Sequence, residues 1–384
     1  MMRFSYGRLA LGLMLVLSLF VDQGLNAASL PLPVEKATKD EVIPAKTPEW
    51  DKLVADAQKE GVVNIYGTAL APVVLPLSQA FKKQYGINLE FVQGRPAEVT
   101  AKINSERSAG LFLADIGHLG DTTTLMDIKP RGITVPLNDL LILPTVKNPR
   151  NWIGEKLPFA DKDHHIITFM GQALPYGVFN KNMVREGEIT SFLDLLQPQW
   201  KGKILFNDPT ISGPGPNLMA ALIRIFGKNR ALEIFRQLAS QEPIIMRDNR
   251  MLLEWVAREK YPILLGPSMA LFSQFTKAGA PLKVLRLKEA RYIGSGPGNI
   301  LIFNNSPHPK ATQLYLNWLL SREGSSIWQN AMKIFSRRVD INKQELDTDT
   351  EPDAHDFLPD EEQMKLRVEM RKVSLDIFGK LLSK

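Results

Sequence analysis

The strongest constraint on what this chain can fold into is a rhythm. Short apolar, β-branched runs alternate with longer segments whose apolar residues recur at helical spacing, and the pattern is set out twice. In the first half, residues 62–66 read as a strand, with Val73, Val74, Leu77, Ala80, Phe81 and Tyr85 at helical spacing behind it. A strand over 87–92, a helix over 96–109, a strand over 113–117 and a helix start at Asp121 follow. Strands joined by helices of this length predict parallel βαβ units. An irregular stretch, 130–163, carries five prolines and a short helix signal at 137–141. The rhythm then resumes, with strands predicted at 204–206, 244–246, 263–266 and 282–287 and helices at 218–226, 231–239, 251–258 and 269–276. An apolar strand, 299–303, and an amphipathic helix, 309–320, close the series.

Two such series in 384 residues exceed one ordinary core, and 44% hydrophobic content suffices to bury two. The predicted fold class is therefore α/β, in two lobes. Ahead of them, Thr47-Pro48-Glu49-Trp50 combines an N-cap, a proline at the first helical position and a first-turn acid; Gly61 stops that helix.

The N-terminus addresses location. Arg3 and Arg8 precede an apolar run over 9–21, and small residues near Ala27 and Ala28 suit cleavage. A run of about 13 residues is short of the roughly 20 that span a bilayer, so 1–28 reads as a secretory signal peptide and 29–46 as a flexible lead-in. No cysteine follows, which closes the lipid-anchored route, and the complete absence of cysteine removes disulfides and thiolate chemistry. A periplasmic chain that is not membrane-embedded is expected. Nine of the 41 acids fall in 345–362, which has no Lys or Arg, leaving 47 basic against 32 acidic residues elsewhere. That mild excess comes without basic blocks, so nucleic acid is not an expected partner.

Four strand-to-helix loops share one design: Gly67-Thr68-Ala69, Gly94-Arg95-Pro96, Ser212-Gly213-Pro214-Gly215 and Gly266-Pro267-Ser268. In open α/β sheets such loops gather at the carboxyl ends of the strands, where ligands bind. A fifth loop, Tyr292 to Gly298, has the glycine for a hinge or a close approach to a ligand. The expected ligand contacts are Thr68, Ala69, Gly94, Arg95, His118, Ser212, Gly213, Ser268, Ser295 and Gly296. Most prominent is the stretch Asp208 to Asn217, a glycine-rich approach to a helix N-terminus with backbone N–H groups for an anion. No catalytic residue is expected. The five histidines lack metal-type spacing, and there is no nucleophile elbow and no phosphate loop ending in Gly-Lys-Ser/Thr.

The chain resembles the periplasmic solute-binding proteins of ABC importers, in the ferric-iron-type branch of family 1 with the type II two-lobe fold. The resemblance rests on Glu60-Gly61-Val62-Val63-Asn64-Ile65-Tyr66, Ala80-Phe81-Lys82-Lys83-Gln84-Tyr85-Gly86, Ala114-Asp115-Ile116, Pro198-Gln199-Trp200-Lys201-Gly202-Lys203, Asp208-Pro209-Thr210, Gly296-Pro297-Gly298-Asn299, and His308-Pro309 leading to Asn317-Trp318-Leu319. It covers about 50–335 and implies chain crossings near 175–180 and 293–298. Lobe 1 is then 47–175 plus 296–335 and lobe 2 is 176–295, with 336–384 an acidic segment and a helix. It also implies a small-molecule ligand, an ABC permease with its cytoplasmic ATPase as partner, a monomer and no cofactor.

Iron does not carry over. The family's paired tyrosines fall at Met269 and Ala270, its histidine near Leu70 and its acid near Gly120, and a ferric ion needs anionic oxygen ligands. The remaining donors, Thr68, Ser212, Ser268, Ser295, Arg95 and backbone amides, suit a carboxylate, phosphate or phosphonate. The alternatives are ferric-ion transport, a ligand-sensing subunit of a signalling system, and a periplasmic enzyme built on His118.

Overall fold

The computed structural model describes residues 47–382 apart from 345 and 347. The expected signal peptide (1–28) and lead-in (29–46) lie outside the described residues.

Helix α1 (Pro48–Glu60) starts where the Thr47 hydroxyl accepts the Trp50 N–H at 3.2 Å, and stops at Gly61. The first α/β series follows as β1 (Val62–Gly67), α2 (Ala71–Tyr85), β2 (Asn88–Gln93), α3 (Pro96–Ser108) and β3 (Ile116–His118). Both β2 and β3 run parallel to β1, as the alternation predicts. Strand β3 begins three residues later than expected. The Asp115 carboxylate takes the Asn64 N–H at 2.8 Å, so regular pairing starts only at Ile116, and Leu111, Phe112 and Leu113 stay exposed. The helix signal after Asp121 becomes a π-helical turn over Thr123–Ile128, and 137–141 holds a 3₁₀ turn, Asn138–Leu140. A short helix, α4 (Pro144–Lys147), and a short strand, β4 (Ile167–Thr168), complete this region.

Next come β5 (Gln172–Leu174), β6 (Gly177–Asn180), β7 (Ile204–Asn207), α5 (Pro214–Phe226), α6 (Lys228–Ser240), β8 (Ile244–Met246), α7 (Asn249–Ala257), β9 (Ile263–Leu265), α8 (Met269–Lys277) and β10 (Leu282–Val284). The chain ends with β11 (Tyr292–Gly294), β12 (Asn299–Ile302), α9 (Pro309–Leu320), α10 (Arg322–Met332) and α11 (Glu361–Leu382).

Two five-stranded sheets result, in the orders β2-β1-β3-β12-β4 and β10-β6-β9-β7-β8. Neither is purely parallel: β12 runs antiparallel to β3, and β6 antiparallel to β9. This departs from a simple βαβ repeat, because β6 and β12 each enter their sheet from the other half of the molecule. The link is a two-stranded antiparallel ribbon, β5 with β11, pairing Gln172–Leu174 with Tyr292–Gly294.

Each sheet has its own core. Trp318, Trp328, Phe81 and Phe169 sit in the first, and Phe206, Phe235, Phe192 and Leu222 in the second. The C-terminal segment belongs to both halves. Phe357 bridges the hinge ribbon alongside Tyr292, donating its N–H to Arg291 O at 3.0 Å and accepting from Ile293 N at 2.8 Å. Helix α11 then buries Met370 and Phe378 in the second core, and its first turns reach the first half, where Glu361 pairs with Lys129 at 2.6 Å. No helix among the described residues is long and apolar enough to cross a membrane.

Candidate ligand-binding site

The loop after β7 is shaped by its acid. Asp208 Oδ1 accepts the Thr210 N–H at 2.8 Å and hydroxyl at 2.6 Å, while Oδ2 takes Arg247 Nε at 2.9 Å. Burial alone would raise this carboxyl; the Thr210 and Arg247 donors outweigh it and hold it below the ordinary carboxylate range. The stretch is therefore a built turn. It does not, however, offer the N–H groups expected of it. Pro214 and Pro216 have none, and the Gly215 N–H between them is committed to Asn207 Oδ1 at 3.2 Å.

The unpaired donors lie on the neighbouring helix. Helix α8 begins at Met269 after Ser268, whose side chain makes no cap bond, and its first helical bond runs from Phe272 N to Ser268 O at 2.9 Å. The N–H groups of Met269, Ala270 and Leu271 are thus the orphans of this terminus.

Both helix starts face one pocket of about 290 Å³, lined by Gly213, Pro214, Asn217, Leu218, Gly266, Pro267, Ser268, Met269 and, from the hinge, Leu174, Pro175, Tyr176 and Tyr292. Of the residues expected to touch ligand, this pocket gathers Gly213 and Ser268, and exposed Ser212 stands beside Gly213. No carboxylate lines it.

Two tyrosines that sequence reasoning did not single out close the hinge side. The Tyr176 hydroxyl donates to Ala290 O, and burial holds its phenol far above the ordinary range. Burial likewise raises the Tyr292 phenol; Arg367 and a hydrogen bond with Asn217 pull it back, and Asp121 raises it further. Arg367, from α11, lies 5.0 Å over the Tyr292 ring. Its Nε and Nη2 are buried without a hydrogen-bond partner. Tyr292 is thus where the first half (Asp121), the second (Asn217) and the C-terminal helix meet.

On the first half, Thr68 and Ala69 follow β1. Thr68 N donates to His118 O at 3.1 Å, and Ala69 holds a left-handed backbone with φ 54°, strain of the kind found at functional loops. Gly296, exposed with φ 55°, stands at the start of the β12 approach. Ser295 does not face a ligand. It is fully buried, its hydroxyl donating to Gly296 O at 3.0 Å and accepting from Asn299 Nδ2 at 3.0 Å.

His118 is likewise a core residue. Its Nδ1 sits 2.9 Å from Asn299 O, its ring 4.7 Å from that of Trp328, and burial pushes its pKa down to about 4, so it is neutral near pH 7. This removes the group on which an enzyme reading rested. Gly94 and Arg95 follow β2, and Arg95 is spent at the start of α3: Nε donates to Glu98 Oε1 at 2.8 Å, and the side chain is 84% exposed.

The metal-site expectation can be compared directly. Met269 lines the pocket and Ala270 is exposed at the tyrosine positions, and no group of three His, Cys, Asp or Glu able to hold a metal occurs among the described residues.

Residues 62–331 match the model of the bacterial extracellular solute-binding protein family, and the chain belongs to that family, one of binding proteins rather than enzymes. An uncharacterized protein of Haemophilus influenzae is 21% identical over 274 residues, 71% of this chain and 76% of that protein. Among solved structures, the Trichodesmium protein FutA in complex with iron and citrate has a TM-score of 0.64 at 18% identity, covering 84% of this chain and all of that one. The periplasmic binding protein AfuA of Actinobacillus pleuropneumoniae, with fructose-6-phosphate bound, has a TM-score of 0.52 at 18% identity, over 84% of this chain and 99% of that one. At these identities the structural likeness establishes the two-lobe fold, which agrees with the fold class predicted from the sequence.

Proposed function

We propose that the chain is the periplasmic receptor of an ABC importer, a monomer that captures a small organic oxyanion between its lobes and delivers it to an inner-membrane permease with a cytoplasmic ATPase. The observation that carries the ligand class is the character of the 290 Å³ pocket: no carboxylate, the α8 N-terminus and Ser268 on one wall, and behind Tyr292 a guanidinium whose Nε and Nη2 are unpartnered. A positive charge behind the wall favours an anion in the pocket, as does a helix N-terminus. The presence of a sugar phosphate in AfuA, a protein of this fold, supports the same class. Ligand contacts from both lobes would favour a closed form that the permease can recognise.

Ferric ion is the second reading, favoured by two tyrosines on the pocket wall. It is opposed by the Tyr176 hydroxyl, already committed to a carbonyl, and by burial that raises both phenols against the phenolate form iron requires. Calorimetric titration with fructose 6-phosphate and with ferric citrate tests the choice. Binding of the sugar phosphate, weakened by Arg367→Gln, is expected, since Arg367 places a positive charge behind the Tyr292 ring of the pocket wall. Equal affinity in Arg367→Gln, or tight ferric binding with a visible tyrosinate band, would sink it.

A further inference from the structure

Away from the pocket just described, a second and larger cavity of about 660 Å³ lies between the edge of the first half and the C-terminal segment. It shares no lining residue with the 290 Å³ pocket. One wall is Arg337, 3% exposed, whose Nε and Nη1 have no hydrogen-bond partner. Its backbone is held at both ends: Arg337 N donates to Phe169 O at 2.9 Å, and Ile153 N donates to Arg337 O at 2.9 Å. The backbone that carries this side chain is therefore fixed in place.

The nearby acids are occupied elsewhere. Asp161, Asp163 and Glu361 all pair with Lys129, at 2.8, 3.0 and 2.6 Å, and Asp360 pairs with Arg224 at 2.8 Å. Asp356, whose charge acts on Arg337, gives its oxygens to Arg291 at 3.1 and 2.7 Å. That leaves Glu362, exposed on the rim, against the exposed lysines 156, 162 and 365. A buried guanidinium with two unmet donors is costly unless an anion joins it.

We propose that this cavity is a second anion site, in which Arg337 binds the phosphate or carboxylate group of a small molecule, separate from the site between the lobes. Burial pushes the Arg337 guanidinium down to about 10, with Asp356 opposing, so the group is still a cation at neutral pH. The site touches both the hinge-pairing segment around Phe357 and the start of α11, so an anion here would tie the C-terminal segment to the first half.

The test is thermal unfolding of the full chain against rising inorganic phosphate and, separately, succinate, at ionic strength held constant with sodium chloride. A binder of the native state raises the midpoint in proportion to the logarithm of its concentration once saturating. For the wild type, at least one of the two probes is expected to raise the midpoint. Arg337→Met should melt at or above the wild type without anion and need about tenfold or more of that probe for the same rise. Arg367→Gln, altered at the inter-lobe site, should lose at most the part of the response which that site supplies, and adding Arg337→Met to it should remove what remains. An undiminished response in Arg337→Met, no response in the wild type to either probe, or loss of the response in Arg367→Gln alone would each overturn the second site. As a readout independent of stability, crystals soaked in selenate should show an anomalous peak beside Arg337; its absence at saturating selenate would also count against the proposal.

Discussion

Gly215→Ala is expected to abolish ligand binding and to cost about 3 kcal/mol of stability, although it adds one methyl group. A Cβ at this position would lie 2.5 Å from Asn207 O, 2.8 Å from Pro209 Cα and 3.0 Å from Asp208 O. All three are backbone atoms of a turn held by the Asp208 carboxylate, so none can yield as a flexible side-chain end would. Overpacking of this kind costs about 1–3 kcal/mol, occasionally more. The strain is released only by moving the start of α5, which carries Gly213, Pro214 and Asn217 along the pocket wall. Gly279→Ala is the control. It has a positive φ of 88° with nothing within 4 Å, and should cost about 1 kcal/mol without touching binding. Urea unfolding and calorimetry on the two variants separate these effects; equal behaviour would remove the close-packing argument.

Phe378→Ala is expected to cost about 3–5 kcal/mol, the range for truncating a fully buried phenylalanine. Phe378 is 0% exposed and meets Phe206 edge-on, with centroids 5.6 Å apart; one turn earlier, the Ser374 hydroxyl packs on Met219 Sδ at 2.9 Å. Helix α11 therefore acts as part of the second core. Deleting it would also remove the buried Met364, Leu366, Met370 and Val373 and expose the surfaces they cover, each contributing up to about 1.5–3 kcal/mol when buried, a sum comparable with the whole net stability of a domain. Denaturant midpoints for Phe378→Ala measure this. A loss below about 1 kcal/mol would show that the helix only rests on the surface.

The two-lobe α/β class was legible because apolar period and loop composition agree along the chain: Thr47 caps, Gly61 stops, and Val62–Gly67 pairs with its parallel neighbours as the alternation demands. What was not legible depends on pairing at a distance. Sequence spacing carries no record that Gln172–Leu174 meets Tyr292–Gly294, or that Phe357 extends that ribbon. Gly213 and Ser268, which turn chemistry pointed to, line the candidate pocket. Arg95 was not separable from a surface ion pair, because Glu98 three residues on was equally compatible with a free arginine. His118 ends a strand, as a ligand contact would, but its ring enters the core beside Trp328 and Tyr315, partners about 200 residues away. Arg367 could not be found at all from local pattern, since its place over Tyr292 exists only once α11 has folded back onto α5. A local signal does exist: Tyr176 lies between Pro175 and Gly177, and Tyr292 stands two residues before Gly294, both at crossings between the sheets.

The most direct measurement is mass spectrometry of what the purified protein releases on denaturation, with metal content determined on the same sample. A small organic molecule bearing phosphate or carboxylate, near one per chain and without stoichiometric iron, is the expected result. Stoichiometric ferric iron with a tyrosinate absorption band before denaturation would contradict it.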